Sequence, residues 1–179
     1  MIIRETPLGG AHVIELERLG DERGYFARTF DSEQFAAAGL DGRVVQASTS
    51  FNARTGTLRG LHYQADPHGE AKLVRVTRGA VFDVIVDLRP DSATFREWFG
   101  VELDAASGRS LYVPAGLAHG FQTLVDDSEM LYQMSYHYVP DAARGVRFDD
   151  PAFAIQWPQP PPGGLVITAR DRAFADFDG

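Results

Sequence analysis

The sequence predicts a single all-β domain over residues 1–179, of the sandwich or barrel type, with short helices only at its periphery. Three observations lead there. Short apolar-rich runs recur roughly every 8–12 residues and are separated by Gly, Pro, Asp or Ser turns, the rhythm of a β-sandwich or barrel. Only one convincing helix start occurs in the first 150 residues. The length suffices to bury a core within one domain, and no internal repeat, coiled coil or low-complexity tail divides it.

In chain order, residues 12–16 form the first strand signal. Arg23-Gly24 reads as a turn into an edge strand that carries Tyr25, Phe26, Arg28 and Phe30. A short helix starts at Asp31 or Ser32, with Gln34 at capping-box spacing from Asp31 and Gly39 as its stop. Strands follow over 43–50 and 72–77, and Arg78-Gly79 turns the second of these into 81–88, where Phe82, Val84, Val86 and Leu88 share one face. Further strands are expected over 98–103, 109–113, 121–124 and 131–139; the last would align Tyr132, Tyr136 and Tyr138. From Asp149 a proline-rich segment cannot sit inside a sheet and reads as an ordered surface segment leading to a short C-terminal piece.

Composition narrows the function. There is no cysteine, which removes disulfides, thiolate metal sites and cysteine nucleophiles together. The net charge of −8 argues against nucleic acid as a general partner, although a local arginine cluster could still hold an anionic small molecule. Residues 1–30 contain no apolar block of the signal-peptide kind and no window approaches a membrane span, so a soluble, cytoplasmic protein is expected.

The stretch from Leu58 to Gly79 holds the most unusual residue. Lys72 is the chain's only lysine beside sixteen arginines, and it lies in the apolar run of Ala71, Leu73, Val74 and Val76. That placement suggests a role for a compact ammonium that a guanidinium cannot fill; a strand lysine lying along apolar surface is the plainer alternative. Further on, Gly108-x5-Pro114-x-Gly116-x2-His119 reproduces the second signature of the cupin jelly roll, a double-stranded β-helix. The first signature is only half kept: Gly60, His62 and Gly79 fit, the second histidine is Gln64, Glu70 is displaced, and Lys72 stands nearby. A cation beside two imidazoles repels a metal, so no metal is expected. A histidine, a lysine and tyrosines suit proton abstraction beside a carbonyl. Imidazole serves as base, ammonium stabilises the enolate oxygen, and a phenol returns the proton on the other face. For the tyrosines, ordinary strand packing is the competing explanation.

LRGLHYQ, KLVRVTRGAVFDVIVDLRPDSATFREW, LYVPAGLAHGF, LYQMSYHYVP and IQWP, in this order, resemble the dTDP-4-dehydrorhamnose 3,5-epimerase family, over nearly the whole chain. The resemblance implies a cofactor-free, dimeric jelly roll that inverts C3 and C5 of a nucleotide-linked 4-keto-6-deoxy sugar, most directly a dTDP sugar on the route to dTDP-L-rhamnose. It implies His62 as base with Asp171 orienting it, Tyr132 as acid and Lys72 at the enolate. Arg59 and Arg23 would hold the diphosphate, Phe26 and Tyr138 would flank the base, and His119, Gln46, Ser48 and Arg170 belong to the binding set. The segment with Arg23 and Phe26 would reach into the site of the neighbouring subunit of a homodimer.

Three positions depart from the family pattern: Arg28 replaces a glutamate, Gln46-x-Ser48 replaces Gln-x-Asn, and Ala143 replaces a glutamate. Because Phe26 and Arg28 would share a strand face, Arg28 is expected to enter the nucleotide pocket and favour charge over base identity. An epimerase acting at one carbon only, or on another nucleotide sugar, is the alternative reading. A sugar-binding or metal-dependent cupin is the alternative from a different class.

Overall fold

A computed structural model describes residues 1–178. The chain begins with β1 (Ile2–Glu5), β2 (His12–Glu15), β3 (Leu19–Asp21) and β4 (Gly24–Phe26), followed by helix α1 (Ser32–Ala37). Then come β5 (Gln46–Asn52), β6 (Leu58–Gln64), β7 (Lys72–Arg78), β8 (Ala80–Asp87) and β9 (Trp98–Asp104). β10 (Ser110–Val113), β11 (Leu117–Thr123), β12 (Ser128–Met134), β13 (Ala143–Gly145) and the short helix α2 (Ala169–Arg172) complete the order. The strands form a six-stranded sheet, β1-β2-β10-β7-β12-β5, and a five-stranded sheet, β13-β6-β11-β8-β9, with β3 and β4 as a separate hairpin. All sheet pairings are antiparallel, as the expected cupin jelly roll requires. Among the described residues no helix is long and apolar enough to cross a membrane.

Strand alternation decides what each sheet buries. Val74 and Val76 of β7, Val81 and Ile85 of β8, and Phe121 of β11 meet in one core between the two sheets. Leu73 points the other way and packs with Ile14, Tyr112 and Phe35 of α1, so the helix covers the outer face of the six-stranded sheet. Phe82, Val84, Val86 and Leu88 do share a face, and it is the outer one of the five-stranded sheet. The proline-rich segment covers it with Phe153 and Trp157, whose indole Nε1 donates to the Phe148 carbonyl at 2.8 Å. Helix α1 starts as expected: the Asp31 carboxylate accepts from the Glu33 and Gln34 amides, and Gly39 takes the left-handed conformation that ends the turn.

Several strand expectations need correction. β1 and β6 give no clear sequence signal, and β11 begins at Leu117 rather than at 121. β5 starts at Gln46 rather than at 43, because Asp41 folds back onto the Arg43 amide and guanidinium. β12 ends at Met134 rather than running to 139. Beyond it the Tyr138 amide donates to Gln46 Oε1 (2.7 Å) and the Val139 amide to Gln64 Oε1 (2.6 Å), so side-chain amides replace the ladder. Tyr136 therefore leaves the row of Tyr132 and stacks near His68 instead.

At the far end of β8, Asp87 is sealed from solvent. Burial alone would raise its carboxyl pKa, but Arg89, Ser92 and Thr94 donate to it and hold it well below the usual carboxylate range. A carboxyl depressed in the folded state stabilises above its unfolded pKa, and that stability is lost only as strong acid titrates the folded form. Asp87→Ala strands these donors and is expected to cost on the order of 2–3 kcal/mol at pH 7, measured by denaturant unfolding. In wild type the same contribution should survive until the pH falls below the ordinary carboxylate range.

Candidate active site

The inner face of the six-stranded sheet forms a graded wall. Register pairs Met134 with Lys72 and Gln46, Tyr132 with Val74 and Ser48, and Met130 with Val76 and Ser50. Each row carries same-face side chains, so the wall runs from a polar end at Lys72 to an apolar floor at Met130. Lys72 shares this inner face with Val74 and Val76, which is why it points inward instead of lying along the surface. Its side chain is 12 % exposed, with Nζ at 3.2 Å from Glu70 Oε1 and 3.3 Å from the His62 carbonyl oxygen.

The opposite wall comes from β6 and β11. His62 and His119 are register partners and enter side by side. Arg59 also enters, although three residues from His62 strict alternation would turn it outward. The β6–β11 register shifts between these positions, at Gly60. Gly60 has φ +126°, and a Cβ there would stand 2.6 Å from the Gly120 Cα, so only glycine permits this close crossing.

Together the walls enclose a cavity of 680 Å³. It gathers the expected His62, Lys72, Tyr132 and Asp171. Gln46, Ser48, Arg59, His119, Tyr138 and Arg170 line it as well. Three expected residues lie outside. Arg23 and Phe26 sit on the β3–β4 hairpin around a separate shallow concavity, Phe26 being 68 % exposed and Arg23 paired with Asp21. Arg28 corrects the shared-face expectation: β4 stops at Phe26, and the guanidinium instead donates to Asp31 at 2.6 Å, at the start of α1. Ala143 lines a smaller adjoining recess with Tyr63 and Gln64.

Helix α2 brings a carboxylate to His62. Thr168 caps it by accepting from the Asp171 amide, and the 96 %-buried Asp171 extends Oδ1 to His62 Nε2 at 2.8 Å. His62 Nδ1 makes no hydrogen bond among the described residues. Burial lowers the imidazole pKa, Lys72 and Arg170 add to the lowering, and Asp171 opposes it by hydrogen bond and charge; the net value lies below that of an ordinary histidine. Near neutral pH His62 is therefore an uncharged imidazole with a fixed tautomer, ready to accept a proton. Tyr132 stands on the opposite sheet. Burial and the nearby Asp83 charge push its pKa up, while Arg59 pulls it back, so the phenol keeps its proton.

One member escapes the sequence reading. Asp83 is fully buried, and its Oδ1 holds His119 Nε2 at 2.8 Å, with Tyr132 edge-on to the His119 ring at 6.0 Å. Its signal was an acid on the apolar strand 81–88, on the face opposite Phe82 and Val84. Gln64, where a metal cupin has its second histidine, spends its amide on the His68 and His137 carbonyls.

Asp171→Asn removes the charge that raises the His62 pKa and leaves only a weaker, neutral acceptor for Nε2–H. The acid limb of the rate profile, where His62 gains a proton, should move to lower pH. The maximal rate should fall roughly 10–100-fold as the ring loses its orienting partner. A pH–rate series on the variant checks both.

The sequence model described as dTDP-4-dehydrorhamnose 3,5-epimerase matches residues 5–178. A protein of that name from Methanothermobacter thermautotrophicus is 45% identical over 169 residues, covering 94% of this chain and 90% of its own. A dTDP-4-dehydrorhamnose 3-epimerase from Streptomyces niveus is 40% identical over 173 residues, covering 95% and 82%. The crystal structure of a 3,5-epimerase from Bacillus anthracis with TDP and PPi bound superposes with TM-score 0.92 at 38% identity, covering 98% and 99%. The fold is thus a cupin jelly roll, the protein is an isomerase, and the chain belongs to the dTDP-4-dehydrorhamnose 3,5-epimerase family.

Proposed function

We propose that the protein inverts C3 and C5 of dTDP-4-dehydro-6-deoxy-D-glucose, giving dTDP-4-dehydro-L-rhamnose, without a cofactor. The observation that carries this reading is the confrontation of two proton carriers across one cavity: His62, oriented by Asp171 on one sheet, and Tyr132 on the other. The C4 ketone of such a sugar acidifies the hydrogens on both neighbouring carbons, so the same pair can serve each in turn. Neutral His62 takes the proton through Nδ1. The enolate oxygen that develops is stabilised by the Lys72 ammonium. Tyr132 then delivers a proton to the opposite face, and the carbon is inverted; solvent takes the proton from His62 and returns one to Tyr132 before the second carbon reacts. Arg59 and Arg170 offer donor forks to the diphosphate at the cavity wall.

Homodimerisation fits the hairpin. Leu19, Tyr25 and Phe26 are 70 %, 53 % and 68 % exposed, and Arg23 and Phe26 stand clear of their own chain's cavity. In this reading they complete the site of a second copy, and Phe26 and Tyr138 flank the base of that shared site. Acting on a nucleotide-linked sugar, the enzyme works in the cytoplasm. The likeness to the Streptomyces niveus 3-epimerase, at an identity comparable with that of the 3,5-epimerases, favours a second reading in which C3 alone is inverted. The test is incubation with dTDP-4-dehydro-6-deoxy-D-glucose in deuterated water, with label located by NMR. Deuterium at C3 and C5 supports the first reading and deuterium at C3 alone the second. Label at neither carbon sinks both.

A further inference from the structure

Beyond α2 the chain runs back past the base. His62 on β6 is the register partner of Gly145 on β13. Phe174 lies over this pair: a Cβ added to Gly145 would meet its ring at 2.2 Å from Cζ, 2.3 Å from Cε2 and 2.8 Å from Cε1. The ring is also edge-on to the His62 imidazole, with centroids 6.1 Å apart and planes at 76°. Glycine at 145 therefore provides the seat, and the phenyl ring fills it.

The seat is held from both sides. Asp171 of α2 precedes Phe174 and is buried under the Thr168 cap. After it, the Phe177 amide donates to Oδ2 of the buried Asp150 at 2.6 Å. The Phe177 ring packs on Phe95 and Phe153, with Arg96 above it. Residues 171–177 form a strap anchored at either end, with Phe174 at its middle.

We propose that Phe174 is a positioning residue for the base: seated over Gly145, its ring holds the His62 imidazole against Asp171 and keeps water from that side. This rests on the reading of His62 as the base. Phe174 is not among the residues lining the cavity, so it acts through His62 and not on substrate. The charged and titratable groups that face His62 are Asp171 and Arg170 from α2, Lys72 and Glu70 beside β7, His119 from β11, Arg144 from β13 and Tyr138 after β12. None of them is altered by the substitution. Two things change when the ring is removed: the imidazole gains water, which favours the imidazolium form, and its Asp171 hydrogen bond loosens, which opposes it. Burial is the largest influence on this ring, so hydration sets the sign.

The experiment uses the full chain as wild type, Phe174→Ala, Phe174→Leu and Gly145→Ala. His62 is titrated by NMR, its signal assigned by its loss in His62→Asn, and deuterium exchange is followed against pH. In Phe174→Ala the His62 midpoint should rise by about half a pH unit or more. That direction is opposite to the one expected for Asp171→Asn. The acid limb of exchange should rise with it, and kcat should fall about tenfold as the ring loses its alignment, with KM nearly unchanged. Gly145→Ala should do the same by expelling the ring, whereas Phe174→Leu, which still fills the seat, should stay near wild type. An unmoved His62 midpoint in Phe174→Ala overturns the proposal, as does a raised KM at unchanged kcat. A midpoint that moves while exchange ignores it supports the hold of Phe174 on the ring and instead removes His62 as the base.

Discussion

His62→Ala is expected to abolish deuterium incorporation at both carbons while the protein still binds dTDP. The catalytic loss falls on proton transfer, because the proposed binding groups stand at other positions: Arg59 earlier on β6, Arg170 on α2, and Gln46 and Ser48 on β5. Removing one positioned base costs about 10²–10⁴-fold in rate, or about 3–5 kcal/mol of barrier. The truncation leaves Asp171 a buried carboxylate whose remaining contact is the Gly60 amide at 3.4 Å, so some stability is lost as well. An unfolding curve separates that effect from chemistry. Near-normal turnover in a folded variant would end the histidine-base mechanism.

Lys72→Arg is expected to fail nearly as badly as Lys72→Met, by about 10²–10³-fold in kcat. The ammonium is clamped between Glu70 Oε1 and the His62 carbonyl in a row closed by Met134 and Gln46, and only 12 % of the side chain is exposed. A planar guanidinium keeps the charge but needs a wide fork of acceptors there, and it would displace its neighbours. The kcat of the two variants, compared under saturating substrate, decides the point. Rescue of most activity by arginine would reduce Lys72 to a general cation and remove it from the enolate.

How far the sequence was legible depended on the range of the interaction. Local signals held well: the Asp31 cap, the Gly39 stop and the outer apolar face of residues 81–88 depend only on near neighbours. The Lys72–Tyr132–His62 grouping was readable through an ordered set of motifs rather than from any spacing. What failed was set by distant partners. Nothing near Tyr136 announces that Gln46 and Gln64 will capture the amides beyond Met134 and end the strand. Arg28 looked like a strand residue because its true partner, Asp31, was read only as a helix cap. Asp83 was invisible as a site member because its meaning depends on His119, far along the chain but diagonal to it across paired strands. The register shift at Gly60, which brings Arg59 and His62 to one wall, likewise exists only because Gly120 crosses there.

The hairpin that carries Arg23 and Phe26 away from its own cavity has a kinetic meaning. If a working site needs one chain's hairpin and another chain's walls, activity per chain is not a fixed property but follows the law of mass action. Dilution would then silence the enzyme before it unfolds, because separated chains keep an intact fold but lose half of each site. Two differently damaged chains could also repair one another. In random pairs of an Arg23 variant and a His62 variant, each mixed pair would hold one site carrying both lesions and one carrying neither. About a quarter of all sites would then be whole, as two-fold symmetry dictates. Damage would be inherited by the assembly in a pattern that no single chain displays.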